Sequence, residues 1–306
     1  MKVEYYLCFV VALLGCTSCN SANLQIEDAV LWKISGNGLE KPSYLLGTNH
    51  TVELGFLDSI TGFWDIYNLV ECLLVEVDLT RAEIAKEVES TKEDDLMMYL
   101  MPKDTTYQML YSPSDYNLID SVMIINKMFN YQRFMPGFVA IEFADRQIMK
   151  TMKGLMDLEL MLKAKEDQKE IVGLDNLEML NNYNDTLGDL HNQAKDLLQV
   201  VNNLDIMLEE VYLFDSLYRH QKITSMSEDS MIYRVSSKLG VKEIEETKSF
   251  QNFCTRRNID WLKKIPFYIS RKTSLIAVGV RHLINKNGLI VRLRELGYTV
   301  TPILSK

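Results

Sequence analysis

The stretch Ser274–Val300 reads SLIAVGVRHLINKNGLIVRLRELGYTV and predicts one complete α/β unit. Apolar and β-branched residues run from Thr273 to Val278, which is typical of a buried strand. A helical pattern follows over residues 285–296 and stops at Gly297, the residue type that most often ends a helix. A last strand is predicted from Tyr298 to Ile303. The C-terminal part of the chain is therefore strand, helix and strand.

A glycine and a histidine stand three places apart directly after the first of these strands, at Gly279 and His282. The same frame occurs near the other end of the chain, where YLLGTNH places Gly47 and His50 after another apolar run. The chain has only 4 histidines in 306 residues, so half of them share this frame. Glycine permits close backbone approach or a positive φ, and ligands favour the carboxyl ends of strands in open α/β sheets. We therefore expect both strand ends to deliver a histidine to one cleft.

The region before the first of these histidines has the pattern of a β-hairpin. Strands are predicted over residues 29–34 and 43–46, on either side of the turn Ser35-Gly36-Asn37-Gly38. Residues 57–69 have helical spacing, and from Arg81 to about Val235 the pattern is mainly helical, with a short strand at Lys169–Leu174. Since no linker rich in Pro, Gly or Ser divides the chain, residues 29–306 are predicted to be one domain. The fold class is α/β with α+β character: a mixed central sheet flanked by helices, with a large helical insertion in the middle of the chain.

Two carboxylates interrupt a further apolar run, CLLVEVDL, at residues 72–79. Glu76 and Asp78 are two positions apart, so on a strand they would share one face. Two imidazoles and a carboxylate suit a borderline divalent cation (Mn, Co, Zn or Fe), and three protein ligands leave positions open for water and substrate. A bound metal would lower the pKa of its water and polarise a carbonyl. Glu76 would be the third ligand or the general base, and Asp78 would orient a histidine by hydrogen bonding. The other two histidines, His191 and His220, stand in polar helical contexts and are predicted to face solvent.

The N-terminus predicts export. Residues 1–15 have a charged start and an apolar run too short to span a bilayer, as in a signal peptide. Leu13-Leu14-Gly15-Cys16 resembles the lipobox of bacterial lipoproteins, which implies cleavage before Cys16, a lipid on that cysteine and a tether over residues 16–28. The alternative is an ordinary signal peptide with an incidental cysteine. The expected location is the membrane, facing the periplasm or the cell surface.

Composition excludes several other classes. The net charge of −9, without a basic block, argues against nucleic acid and leaves membrane tethering to the lipid. Three cysteines remain outside the signal in addition to Cys16. These three cannot all pair within the chain, and their spacing matches no zinc pattern. Cys72 and Cys254 are predicted to be small buried thiols.

Five segments in this order carry a resemblance to a known family: LLGTNH, VECLLVEVDL, GLMDLELMLKAKEDQKEIVGLDNLE, RRNIDW and the C-terminal α/β unit. Over about residues 29–303 the chain resembles the TraB/GumN family, which includes the animal Tiki proteases. That family is similar to erythromycin-esterase-like and haem-binding ChaN-like proteins, with a mixed sheet flanked by helices. The resemblance implies a metal-dependent hydrolase, peptidase-like in the Tiki branch, where manganese or cobalt supports activity.

The resemblance also implies roles for particular residues. The two glycine–histidine frames match the family's two motifs, and Glu76 matches its acidic strand residue. Arg257 and Asn258 match an Arg-Asn pair before the final strands; Arg257 would hold a substrate carboxylate or an oxyanion, or form a structural ion pair. Asp157 matches a recurrent acid that would alternatively cap its helix.

The chain departs from the family pattern at two places. Leu174-Asp175-Asn176 stands where relatives commonly read Leu-Glu-Thr or Leu-Glu-Ser, and Ile284-Asn285 where many have a glycine. Both departures concern the substrate side of the cleft, and the substrate is expected to be a peptide or a small molecule. Two other functions stay open: a non-catalytic envelope lipoprotein that binds iron, haem or another ligand, and a scaffold whose site is only structural.

Overall fold

A computed structural model describes residues 26–80, 99–175, 189–227 and 248–304, with isolated positions between 231 and 238. The predicted signal peptide and Cys16, the predicted site of lipid attachment, lie outside these residues. None of the helices within the described ranges combines the length and the apolar composition needed to span a bilayer.

A six-stranded mixed sheet forms the centre of the described structure, in the order β4-β3-β5-β2-β1-β6. Neighbours among β4, β3, β5 and β2 run parallel, whereas β1 is antiparallel to both β2 and β6. The predicted mixed sheet with flanking helices is therefore confirmed. The strands are β1 Leu31–Ser35, β2 Ser43–Thr48, β3 Cys72–Val75, β4 Glu170–Gly173, β5 Ser274–Gly279 and β6 Thr299–Pro302.

The register of the sheet brings the two histidine frames together. In the parallel ladder of β2 and β5, Gly47 pairs with Val278 and Thr48 pairs with Gly279. Strand β3 lies on the other side of β5 and pairs Val75 with Ala277. The carboxyl ends of β2, β5 and β3 are therefore adjacent, and the segments that follow them leave the sheet at one edge.

Helices account for most of the remaining described residues. The predicted helical insertion lies before and after β4, while the helix predicted over residues 57–69 is divided into a 3-10 turn, Leu54–Ser59, and a helix that begins after Gly62, whose φ is 73°. The helices are α1 Phe63–Leu69, α2 Tyr107–Leu110, α3 Pro113–Ile125, α4 Pro136–Met149, α5 Met156–Glu166, α6 Leu190–Asn202, α7 Leu204–Arg219, α8 Lys248–Ile269 and α9 Leu289–Glu295.

The C-terminal helix starts later than its sequence pattern predicts and ends where predicted. It begins at Leu289 rather than near 285, because Asn285 has a φ of 71° and cannot continue a helix. Gly297 has a φ of 90°; its N–H donates to the Arg294 carbonyl and the Tyr298 N–H donates to the Leu293 carbonyl. This pair of bonds is the Schellman arrangement that glycine favours.

Three hydrophobic clusters stabilise the described part of the fold, the smallest of them between α4 and α7. The largest one covers both faces of the sheet, and a second lies among the inserted helices α2, α3, α4 and α6. Cys72 is buried in the largest cluster as predicted, whereas Cys254 is half-buried. The inserted helices therefore have a core of their own beside the sheet.

Asp145 on α4 predicts a stability that depends on pH. Its side chain is buried, and neither carboxylate oxygen has a hydrogen-bond partner among the described residues. Burial, with a contribution from Glu142, raises the pKa of Asp145 to about 8. The unfolded chain loses this proton near pH 4. Between about pH 4 and pH 8 the folded state therefore holds a proton that the unfolded state has lost, and the free energy of unfolding falls as the pH rises.

The Asp145→Asn variant is expected to lack this fall. From pH 5 to pH 8, the difference in unfolding free energy between the variant and the wild type should shift by roughly 2–4 kcal/mol in favour of the variant. Each pKa unit corresponds to about 1.4 kcal/mol. Urea unfolding at both pH values measures the difference, with Asp104→Asn, an exposed acid, as the control. The same pH dependence in Asp145→Asn and the wild type would contradict the prediction.

Candidate functional site

His50 lies just beyond the end of β2 and is held by an acid from α5. Its Nδ1 is 2.6 Å from Asp157 Oδ2, and the Thr48 hydroxyl donates to Asp157 Oδ1 at 2.5 Å. Thr48 and His50 are two positions apart, so both side chains reach the same carboxylate. Asp157 is in the first turn of α5, whose N-cap residue, Leu155, makes no side-chain cap bond. Asp157 therefore positions His50, and the alternative prediction that it caps its helix is wrong.

The same contact sets the charge of His50. Burial disfavours the protonated ring, but the Asp157 carboxylate and its hydrogen bond outweigh this effect, with a further contribution from Glu76. The pKa of His50 is raised to about 9 as a result. With Nδ1 bonded to Asp157, the nitrogen that remains for chemistry is Nε2.

Glu76 follows β3 by one residue and is fixed at both of its carboxylate oxygens. Oε1 accepts the Gly279 backbone N–H at 2.8 Å, and Oε2 accepts Nη2 of Arg257 at 2.6 Å. Burial opposes ionisation of Glu76, but Arg257, the two histidines and the Gly279 N–H together hold the pKa of its carboxyl well below the usual range. Glu76 is therefore an ionised and weakly basic carboxylate.

His282 is buried, and its tautomer follows from its neighbours. Nδ1 lies 2.7 Å from Asn258 Oδ1, while Asn258 Nδ2 donates to the carbonyls of His282 and Asn287. Two carbonyl acceptors identify the amide nitrogen, so Asn258 presents its oxygen to the imidazole and Nδ1 carries the proton. Nε2 then has the free lone pair and lies 3.3 Å from Arg257 Nη1 and 3.9 Å from Glu76 Oε1. Burial, together with Arg257 and His50, lowers the pKa of His282 to about 3.

Arg257 on α8 connects this group to a second buried carboxylate. Its Nε donates to Asp175 Oδ2 at 2.7 Å, and the Trp261 indole N–H donates to Asp175 Oδ1 at 2.7 Å. The guanidinium carbon lies 4.7 Å from the centre of the Trp261 ring. Of the two roles predicted for Arg257, the structure shows the ion pair. It also assigns a structural contact to Asp175, which sequence comparison identified only as a departure from the family pattern.

A sequence signal for Asp175 and Trp261 was present. Asp175 follows the end of β4 much as Glu76 follows the neighbouring strand β3. Trp261 is four residues after Arg257 on one helix, so their side chains lie on the same face. The sequence analysis did not predict that Trp261 is buried or that it belongs to the site.

The two motif glycines have different roles. A Cβ added at Gly279 would lie 3.2 Å from Glu76 Oε1, 3.5 Å from His50 Nε2 and 3.9 Å from His282 Cδ2. The three side chains predicted to bind metal therefore surround Gly279. A Cβ at Gly47 would instead meet Leu283 Cδ2 at 2.9 Å and the backbone of Val280 at 3.1 Å. Close approach, rather than a positive φ, explains both glycines.

Alanine at each glycine is expected to separate function from stability. Gly279→Ala should retain most of the stability and lower metal affinity and any hydrolysis by roughly 10–100-fold, because its methyl group disturbs the orientation of Glu76 and His50. Gly47→Ala should lose about 1–3 kcal/mol of unfolding free energy, because its methyl group overpacks the backbone of the neighbouring segment. Thermal unfolding and metal titration of both variants measure these effects. Equal loss of stability in the two variants would contradict the distinction.

Asp78 lies in the loop after β3, and its role in orienting a histidine stays a prediction. Strand β3 ends at Val75 rather than Leu79, so Glu76 and Asp78 lie beyond the strand and need not share a face. The Asp78 carboxylate accepts hydrogen bonds from the backbone N–H and the hydroxyl of Thr80, as in an Asx turn. The hydrogen-bond partners of the two imidazole Nδ1 atoms are Asp157, for His50, and Asn258, for His282.

The other two histidines of the chain are not among these side chains. Both are exposed, as predicted: His191 lies in the first turn of α6, and His220 directly follows α7. Among the described residues, no set of three or more His, Cys, Asp or Glu side chains is arranged as a ready metal site. The Arg257 guanidinium contacts both Glu76 and His282, two of the three predicted ligands.

Comparison with known proteins identifies the family. The model of the TraB/PrgY/gumN family matches residues 30–302, which is most of the chain and includes every residue of the site described above. Searches of curated proteins and of solved structures found no significant match. Because the family model spans so much of the sequence, the chain belongs to the TraB/PrgY/gumN family.

Proposed function

We propose that this protein is a metal-dependent hydrolase, peptidase-like in its chemistry, with His50, Glu76 and His282 at its active site. The observation that carries the proposal is the arrangement of the two histidines. Each has Nδ1 bonded to a fixed partner, Asp157 or Asn258, and each turns its other edge toward the same carboxylate beside Gly279. Histidines that bind metals are typically held in this way, because the outer partner fixes the ring orientation and the tautomer.

The donor set fits a borderline divalent cation. Nε2 of His282 is unprotonated, and Glu76 is ionised, so both have lone pairs for a metal. His50 would give up its Nε2 proton, as every imidazole ligand must. Two nitrogens and one oxygen suit Mn, Co, Zn or Fe better than Ca or Mg. Gly279 leaves the space between the three side chains free of a Cβ.

The residues of the site have different roles in the proposed reaction. A cation held here would lower the pKa of a water molecule and polarise the carbonyl of an amide or ester. Glu76 suits the role of ligand better than that of general base, because two strong donors make it a weak base. Asp157 and Asn258 keep the imidazoles in place, and Arg257 fixes the Glu76 carboxylate. Asp78 is part of the loop after β3 rather than of this set.

The test starts with the metal content of the purified protein, measured by elemental analysis before and after treatment with a chelator. The metal-free protein is then reloaded separately with Mn, Co, Zn or Fe and assayed with mixed fluorogenic peptides and chromogenic esters. We expect near-stoichiometric metal, and hydrolysis that chelation abolishes and one of the ions restores. Hydrolysis that is insensitive to chelation would refute metal dependence, and a fully loaded protein inactive on both substrate classes would refute the hydrolase.

The alternative of a haem- or iron-binding protein stays a prediction. A hemin titration on the same preparation distinguishes it, because axial ligation by His50 or His282 would give a Soret band that the alanine variants lose. We also propose that the protein is an exported lipoprotein, attached to the membrane through Cys16 and facing the periplasm or the cell surface. Mass analysis of the N-terminal peptide tests this, since a lipidated cysteine at residue 16 has a characteristic mass.

A further inference from the structure

We propose that Arg257 and the metal compete for the same two side chains, so that the guanidinium holds the active site together in the absence of metal and weakens metal binding. This inference rests on the proposed function, because it concerns the same three ligands. It assigns Arg257 as a positioning residue with a measurable effect on affinity, rather than as a group that contacts substrate.

The contacts of Arg257 carry the proposal. One guanidinium donates from Nη2 to Glu76 Oε2 at 2.6 Å and approaches His282 Nε2 with Nη1 at 3.3 Å. The second contact uses the only lone pair that the neutral His282 ring has, since Nδ1 carries the proton bonded to Asn258. A metal that takes Nε2 of His282 must therefore displace Nη1. A fixed positive charge at these distances also repels a divalent cation.

The same guanidinium is anchored on the side away from the ligands. Its Nε donates to Asp175, which is completely buried and also accepts from Trp261, and its face packs on the Trp261 ring. Arg257 can keep these contacts while its Nη atoms change partners, because Nε and the two Nη atoms point in different directions. Glu76 likewise retains the Gly279 N–H on Oε1 when Oε2 loses its partner. Because the guanidinium is planar and rigid, exchange requires either a small rotation of the whole group about its Nε–Asp175 contact or a displacement of Glu76 and His282 away from it.

Removing the guanidinium is expected to strengthen metal binding, which loss of a merely structural residue would not do. In Arg257→Met we expect the dissociation constant for Mn, Co or Zn, measured with the metal alone by competition with a chelating dye, to fall by about tenfold or more. Because this change leaves Asp175 buried without its cation, the variant can fail to fold. The double variant Arg257→Met/Asp175→Leu removes both charges of the buried pair and is measured in parallel. Arg292→Met, a surface arginine paired with Glu295, is the matched control.

Tighter binding in either folded Arg257 variant, with no change in Arg292→Met, supports the competition. Unchanged or weaker binding in the folded double variant overturns it. Because the readout is affinity for metal alone, a protein that binds metal but hydrolyses nothing refutes the proposed function without touching this inference. Failure of the wild type and both Arg257 variants to bind any of the ions refutes the inference. Binding by the variants but not by the wild type supports it.

Discussion

His50→Ala and His282→Ala are each expected to reduce hydrolysis to background, a loss of roughly 10³-fold or more, while the protein remains folded. Residues that act as one unit give losses of this size when any member is removed. Each imidazole has one nitrogen held by a fixed partner and the other facing Glu76, so neither has a substitute within the group. Initial rates with whichever peptide or ester the wild type hydrolyses in the assay described above, together with metal content, measure the effect.

Graded variants separate the roles within the site. Asp157→Asn keeps a hydrogen-bonding group beside His50 but removes the charge, and we expect a loss of about 10–100-fold in metal affinity. His191→Ala and His220→Ala, which change the two exposed histidines, are the matched controls and should behave as the wild type. Full activity in either His50→Ala or His282→Ala would rule out the site.

Asp175→Leu is expected to cause the largest loss of stability, about 3–5 kcal/mol, because it leaves Arg257 buried without its innermost partner. Both side chains are almost completely excluded from solvent, so water cannot replace the lost contact. Asp175→Asn should cost less, because its amide oxygen can still accept a hydrogen bond from Trp261 or Arg257. Urea unfolding of the metal-free proteins gives the free energies.

The double variant Arg257→Met/Asp175→Leu provides the control for this prediction. If the loss in Asp175→Leu comes from an unpaired buried charge, removing that charge as well should recover part of the stability, and the two effects will not add. Recovery should be incomplete, because Glu76 also loses its partner. Strict additivity of the two single losses would contradict this explanation.

The sequence by itself determined where the six strands lie and which strand ends carry the two histidines. Alternating and continuous apolar runs predicted all six strands to within a few residues, and Gly297 predicted the end of the last helix. The two glycine–histidine frames were also placed correctly relative to their strands, because a glycine followed by a polar residue at a strand end is a local signal. Adjacent parallel strands then brought His50 and His282 to the same edge of the sheet.

Only the tertiary structure decided which partner each side chain has. Asp157 lies more than a hundred residues from His50 along the chain, and Arg257 lies still farther from Glu76, so no spacing rule connects them. Asp78 satisfied a period-two pattern with Glu76, but the strand that this pattern assumes ends at Val75, and the Asp78 carboxylate accepts the Thr80 N–H in the loop that follows. Local pattern predicts where strands and their polar ends occur. Pairing of buried charges depends on which elements pack together, because a buried charge must be compensated by whichever group the whole fold brings within reach.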